Sequence, residues 1–156
     1  MPIHVSAAMP SDAPTIARLV GELLREITDA IGRQIFAYSL VDTEARARAW
    51  LEEGSYTVLL ARDGECVAGF LTLSECRALY AEGRFGIIAE LYVTPDRRSQ
   101  GVGRTLVAEA KRAAGSKGWA RLEVTTPPLP QFERTLAFYE RQGFRVSGGR
   151  KMKIAL

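Results

Sequence analysis

The chain has 156 residues, 47% of them hydrophobic, enough for a single domain over 1–156 with a core of its own. Its formal net charge of +3 is too small to argue for a nucleic-acid partner, although it helps to attract a polyphosphate. A lone histidine, His4, and two cysteines, Cys66 and Cys76, argue against Ser-His-Asp chemistry, a zinc site and a disulfide framework.

No apolar run reaches membrane-spanning length and no secretion signal is evident, so a reduced, cytoplasmic setting is expected. Residues 3–7 alternate as a first strand, and Pro10-Ser11-Asp12 opens a helix. In that helix Ile16, Leu19, Val20, Leu23, Leu24 and Ile27 recur at helical spacing. Gly32 interrupts the pattern. The stretch 29–38, with Ile35, Phe36 and Tyr38, has no clean period and reads as either a mobile connection or helix-to-helix packing. A second helix starts at 41–43 and ends near Gly54, with its charges on a solvated face.

Residues 56–61 and 66–73 read as two strands joined by a hairpin turn at Arg62-Asp63-Gly64-Glu65. Gly69 marks a bulge or a close contact in the second of them. Residues 76–84 form a polar interruption before the most apolar strand of the chain, 85–93. A helix over 101–115 follows, with Val102, Leu106, Val107, Ala110, Ala113 and Ala114 on one face. Then come a strand at 121–125, a stiff loop at Thr126-Pro127-Pro128-Leu129-Pro130, and a helix over 132–142 closed by Gly143. Two last strands are expected at 144–146 and 151–154. The order β-α-α-β-β-β-α-β-α-β-β is that of an α/β or α+β fold with a mixed sheet.

The junction between the apolar strand and the helix at 101–115 carries the chemistry. Thr94-Pro95-Asp96 stops the strand, and a basic loop bearing Gly101 and Gly103 leads directly into a helix N-terminus. About four N–H groups there lack internal partners, and the helix dipole leaves them positive. Glycines let an anion approach the backbone, and Arg97, Arg98 and Arg104 add charge. No Gly-Lys-Ser/Thr follows, which excludes a P-loop. Leu106 occupies the place of the third glycine of a dinucleotide fingerprint, and Glu123 lies inside a predicted strand instead of at its end.

Arg98-Ser99-Gln100-Gly101-Val102-Gly103 matches the pattern Arg/Gln-x-x-Gly-x-Gly/Ala. With Leu91-Tyr92-Val93-Thr94-Pro95 before it and Phe138-Tyr139-Glu140-Arg141-Gln142-Gly143-Phe144 after it, the chain resembles the GNAT superfamily of acetyl-CoA-dependent N-acetyltransferases over nearly its whole length. The resemblance implies a mixed, mostly antiparallel central sheet flanked by helices on both faces. It implies acetyl-CoA as co-substrate and no metal. The pyrophosphate would be held at Arg98, Ser99, Gln100, Gly101, Val102, Gly103 and Arg104, and the pantetheine arm along Leu91, Tyr92 and Val93.

Amide formation from an amine and a thioester needs a neutral amine, a polarised carbonyl and a protonated leaving thiolate. Glu90 lies among Ile87, Ile88, Ala89, Leu91, Tyr92 and Val93, and apolar surroundings disfavour the charged form of a carboxylate, which makes it a better base. Strict alternation puts Ile88, Glu90 and Tyr92 on one face and Ile87, Ala89, Leu91 and Val93 on the other, unless a bulge intervenes. Glu90 reads as either the base or a structural ion-pair partner. By resemblance Tyr139 is the general acid at the sulfur; the other reading is packing of the last helix. The asparagine that often precedes this pair in the superfamily is missing, with Phe132 and Thr135 in its motif and Gln131 beside it. The aromatic residues Phe36, Tyr38, Tyr80 and Phe85 favour a small-molecule amine as acceptor. A peptide or protein amine and a non-catalytic acyl-CoA sensor are the other readings. No nucleic-acid or membrane partner is expected, and a homodimer is left open.

Overall fold

Alternation of apolar residues along three long strands builds the sheet on which the helices are placed. The computed structural model describes residues 2–156. Its strands are β1 (His4–Ala7), β2 (Tyr56–Asp63), β3 (Cys66–Ala78), β4 (Gly83–Val93) and β5 (Leu122–Val124), in that spatial order. The first three pairings are antiparallel, and β4 pairs with β5 in parallel. The helices are α1 (Ala13–Ile31), α2 (Leu40–Glu53), α3 (Val102–Ser116) and α4 (Glu133–Arg141).

The two sides of the sheet are separate cores. Val58, Leu60, Phe70 and Tyr92 meet Ile16 and Leu19 of α1. On the other side Leu59, Leu71, Leu73 and Ile88 meet Leu106, Val107 and Ala110 of α3, with Phe138 of α4 packed alongside. The expected mixed sheet with helices on both faces is therefore present. α1 and α2 each stop at a glycine in the left-handed region, Gly32 (φ 83°) and Gly54 (φ 73°), which accept it without a Cβ penalty. The 32–39 connection is not loose at its end. Tyr38 donates from its hydroxyl to the Ala17 carbonyl at 2.5 Å, and its ring lies where a Cβ on Gly21 would be.

Two sequence expectations are corrected. Residues 76–84 are not an interruption: β3 and β4 pair out to Ala78 and Gly83, and only the short helical turn Leu79–Ala81 and Glu82 separate them. The final strands at 144–146 and 151–154 do not form. Phe144 packs on the core, but Val146, Met152 and Ile154 are exposed. Alternation is satisfied there; what is missing is a ladder, since β5 offers an edge only three residues long.

Gly69 combines both expected roles. The register shifts between Ala61 and Arg62 opposite it, and a Cβ at Gly69 would stand 2.6 Å from the Tyr92 carbonyl oxygen. Gly86 is the tightest glycine of the sheet. A Cβ there would lie 2.3 Å from the Trp119 ring and 2.8 Å from Leu122. The Trp119 indole cannot yield easily, because its N–H donates to Glu75 at 2.8 Å. Gly86→Ala is therefore expected to lower stability by roughly 1–3 kcal/mol, the usual cost of overpacking. Urea unfolding checks it: the midpoint falls while the slope stays that of the parent.

Candidate active site

A bulge in β4 sets the site. Leu91 pairs with Leu71 of β3, but Ile88 pairs with Leu73, so Ala89 and Glu90 together oppose Thr72. The shift sends Ile88 to the α3 side, with Leu91 and Val93, while Glu90 and Tyr92 face α1 and α2. Strict alternation had put Ile88 beside Glu90; the extra residue breaks that grouping.

The same bulge decides which backbone groups are free. Thr94 N–H bonds to Ala68 O at 2.9 Å, and bonded and non-bonded pairs alternate along an antiparallel ladder. Tyr92 therefore bonds to β3, while Leu91 and Val93 turn their N–H and C=O to the opposite edge. On that edge β5 pairs only with Gly86–Ile88. The Val93 carbonyl accepts from Arg98 Nε at 3.0 Å, and the Leu91 groups open onto a cleft of about 1880 Å³. That volume exceeds a single small-ligand pocket of ~300–1,000 Å³.

Glu90 does not lie in an apolar setting. Its Oε1 accepts from Tyr56 at 2.7 Å and from Thr72 at 2.8 Å, and its own N–H donates to Thr72 Oγ1 at 2.9 Å. Tyr56 Oη is also 3.1 Å from Thr72 Oγ1, but it has one proton, which the shorter contact to the carboxylate takes. Burial first, then the adjacent Glu90 charge, hold the Tyr56 hydroxyl protonated well above the usual tyrosine range. Trp50 of α2 covers Tyr56, with ring centroids 5.0 Å apart.

The glycine loop supplies an anion cradle. Ser99 (φ 60°) and Gly101 (φ 83°) take left-handed conformations that turn the chain into α3. Thr105 N–H is the first to bond, to Gly101 O at 3.0 Å; among the described residues none of the N–H groups from Ser99 to Arg104 has an acceptor. Arg98 is committed elsewhere. Its guanidinium grips Glu26 of α1 with two bonds of 2.7 Å and lies 5.6 Å from the Tyr92 ring centroid. Gly103 also has a packing neighbour: a Cβ there would stand 3.1 Å from the Phe138 ring. It lets α3 approach α4.

Tyr139 is buried between Phe138 and Phe144, with ring centroids 5.4 and 5.5 Å away. It lines the cleft, and its hydroxyl has no partner among the described residues and is not sealed from the cleft. Burial raises its pKa above the usual tyrosine value. Gln131, Phe132 and Thr135 line the same cleft, so the segment that lacks the asparagine still borders the site.

The description "Acetyltransferase (GNAT) family" fits residues 23–144 of this chain. The chain belongs to the GNAT acetyltransferase family. An N-acetyltransferase of Bacillus subtilis (strain 168), YhfO, is 28% identical over 150 residues, 94% of this chain and 93% of that one. The aminoalkylphosphonate N-acetyltransferase of Salmonella typhimurium (strain LT2) is 31% identical over 94% of this chain and 88% of its own length. An aminoglycoside acetyltransferase from an uncultured soil metagenomic sample has the same fold, with a TM-score of 0.77 at 17% identity over 99% of this chain and 96% of that one.

The chain is thus an acetyl-transferring enzyme, and no helix among its described residues is long and apolar enough to cross a membrane. In this acetyltransferase, Tyr56 and Thr72 are the partners of Glu90 in the candidate site that the sequence did not reveal. One signal was available for Thr72, a hydroxyl set between Leu71 and Leu73 in a buried strand; it is 1% exposed. Tyr56 gave none, standing 34 residues from Glu90. Thr72→Val keeps the shape but orphans the Glu90 N–H. Stability should fall by roughly 1–3 kcal/mol, the cost of a buried donor left unpaired. Urea denaturation reads this, and Thr72→Ser should recover most of it.

Proposed function

We propose that this enzyme transfers an acetyl group from acetyl-CoA to the primary amine of a small molecule by direct attack on the thioester. The observation that carries the reading is convergence in one cleft. The unpartnered N–H groups from Ser99 to Arg104, the open Leu91 edge, Glu90 and Tyr139 all line or face it. Acetyl-CoA, when bound, supplies the activated acetyl group. The Ser99–Arg104 amides and the Arg104 side chain would hold its pyrophosphate. The Leu91 and Val93 backbone would take the pantetheine arm, with Tyr92 packed beneath. Arg98 contributes by fixing the shape of the loop.

Glu90 then takes up the proton that the attacking amine sheds, and the Leu91 N–H polarises the thioester oxygen. Tyr139 donates to the departing sulfur. Because burial keeps its hydroxyl protonated, it acts as a standing donor across neutral pH. Support for a small acceptor comes from the aromatic wall of Phe36, Tyr38, Trp50 and Tyr56. The printed substrates of the Salmonella and soil relatives, aminoalkylphosphonates and aminoglycosides, are small-molecule amines as well.

Thiol release from acetyl-CoA with a panel of amines tests the activity; acetyl-CoA binding without release by any amine would leave only a sensor. Two variants test the roles. Glu90→Gln keeps an acceptor for Tyr56 and Thr72 but cannot take a proton. Turnover at neutral pH should fall about 100-fold or more. The deficit should shrink as pH rises, because more of the amine is then already neutral. A lower melting temperature with an unchanged pH–rate profile would make Glu90 purely structural. Tyr139→Phe should lower turnover by about 10²–10⁴ with acetyl-CoA affinity retained in calorimetry. Parental turnover in that variant would leave Tyr139 a packing residue.

A further inference from the structure

The charges on the acceptor side of the cleft do not suit every amine equally. That side is built by α1, α2 and the connection between them, and α2 presents Thr43, Arg46, Ala47 and Trp50 to it. These positions are spaced by three and four, so they form one stripe along the helix. Arg46 therefore stands one turn, about 6 Å, from Trp50. Trp50 in turn covers Tyr56, whose hydroxyl reaches Glu90. Arg46 and the proposed base thus lie at opposite ends of a row that includes Trp50 and Tyr56.

Arg46 is exposed to the cleft and has no carboxylate within ion-pair distance among the described residues. Its neighbours are different. Arg48, two positions on, pairs with Glu44 at 3.4 Å, while Arg98 and Arg97 pair with Glu26 and Asp63. The remaining cations of the lining, Arg104, Arg134, Arg141, Lys151 and Lys153, belong to α3, α4 and the C-terminal segment, beyond the glycine loop. Two carboxylates line the cleft, Glu26 and Glu90. Glu26 is occupied by the two-pronged grip of Arg98, which leaves Glu90 alone to meet a positive amine.

A polyamine would find one available carboxylate and an unneutralised guanidinium. An amine joined by a short linker to a carboxylate or phosphonate would find an opposite charge at each end. From this asymmetry we infer that the acceptor of this enzyme is an anion-bearing primary amine, with Arg46 as the residue that holds the anion. The inference rests on the small-molecule reading above and narrows it. Arginine suits the task, since its planar fork binds carboxylate and phosphonate oxygens in pairs and stays charged at any working pH.

The test compares kcat/KM for 3-aminopropanoate and 2-aminoethylphosphonate with that for propylamine and for spermidine, in the parent and in Arg46→Ala, Arg46→Glu and Arg46→Lys. The parent should prefer the two anionic amines. In Arg46→Ala the ratio of anionic amine to propylamine should fall about 10–100-fold, the range for losing a charged hydrogen bond, and mainly through KM. Arg46→Glu should fall further, and Arg46→Lys should retain part of the preference. Melting temperatures check that each variant is folded. A parent that favours propylamine or spermidine, or an Arg46→Ala ratio equal to the parent's, overturns this inference while leaving amine acetylation intact. Acetyl-CoA binding with no turnover of any amine overturns both.

Discussion

One hydroxyl, that of Thr72, holds together the parts on which the proposed chemistry depends. It accepts the N–H of Glu90 and donates to the Glu90 carboxylate, so it closes the bulge and orients the side chain that the bulge displays. A bulge leaves a residue outside the ladder, and a buried N–H in that position is costly unless something satisfies it. Thr72 does so from the opposing strand while almost fully buried. The consequences reach in two directions. Glu90 turns towards α1 and α2, and β4 leaves β5 behind at Ile88, opening the edge that carries Leu91 and Val93.

The loop that follows is fixed by geometry more than by charge. Arg98 ties Val93 and Glu26 together, joining the end of β4 to α1 across the sheet. Both partners are partly exposed, and such a pair contributes at most about 1 kcal/mol. What shapes the amide cradle is the pair of left-handed residues, Ser99 and Gly101, followed by a helix whose first N–H groups point outward. A glycine at the second position makes that turn inexpensive. Ser99 has no such freedom, so it adopts an uncommon conformation at the centre of the proposed phosphate site.

Each proposed reacting group is supplied by a different element. Glu90 comes from β4, its hydroxyl partners from β2 and β3, and Tyr139 from α4, whose approach to α3 depends on Gly103. The tyrosine is rigidly packed by Phe138 and Phe144, yet its hydroxyl meets the cleft. The two tyrosines remain protonated for related reasons. Burial acts on both, and Tyr56 has the Glu90 charge in addition.

The sequence by itself determined the elements whose signals are local. The apolar period of α1 and α3, the glycine stop after α2, and the strand–glycine–helix junction were all legible. So was the family, through three short blocks in order. What the sequence misread or did not record were features that depend on a partner. The alternating residues of 144–154 looked like strands, but a strand needs an edge, and β5 is too short to give one. Gly103 was read from its motif alone; that a Cβ there would also meet the Phe138 ring depends on α4. Arg98 was read as added charge for the loop, and its pairing with Glu26, 72 residues away, had no local signal. Only the tertiary structure brought Tyr56 and Thr72 to Glu90, because hydrogen bonds across three strands follow register. Register in turn was changed by a single extra residue in β4, which no local pattern records.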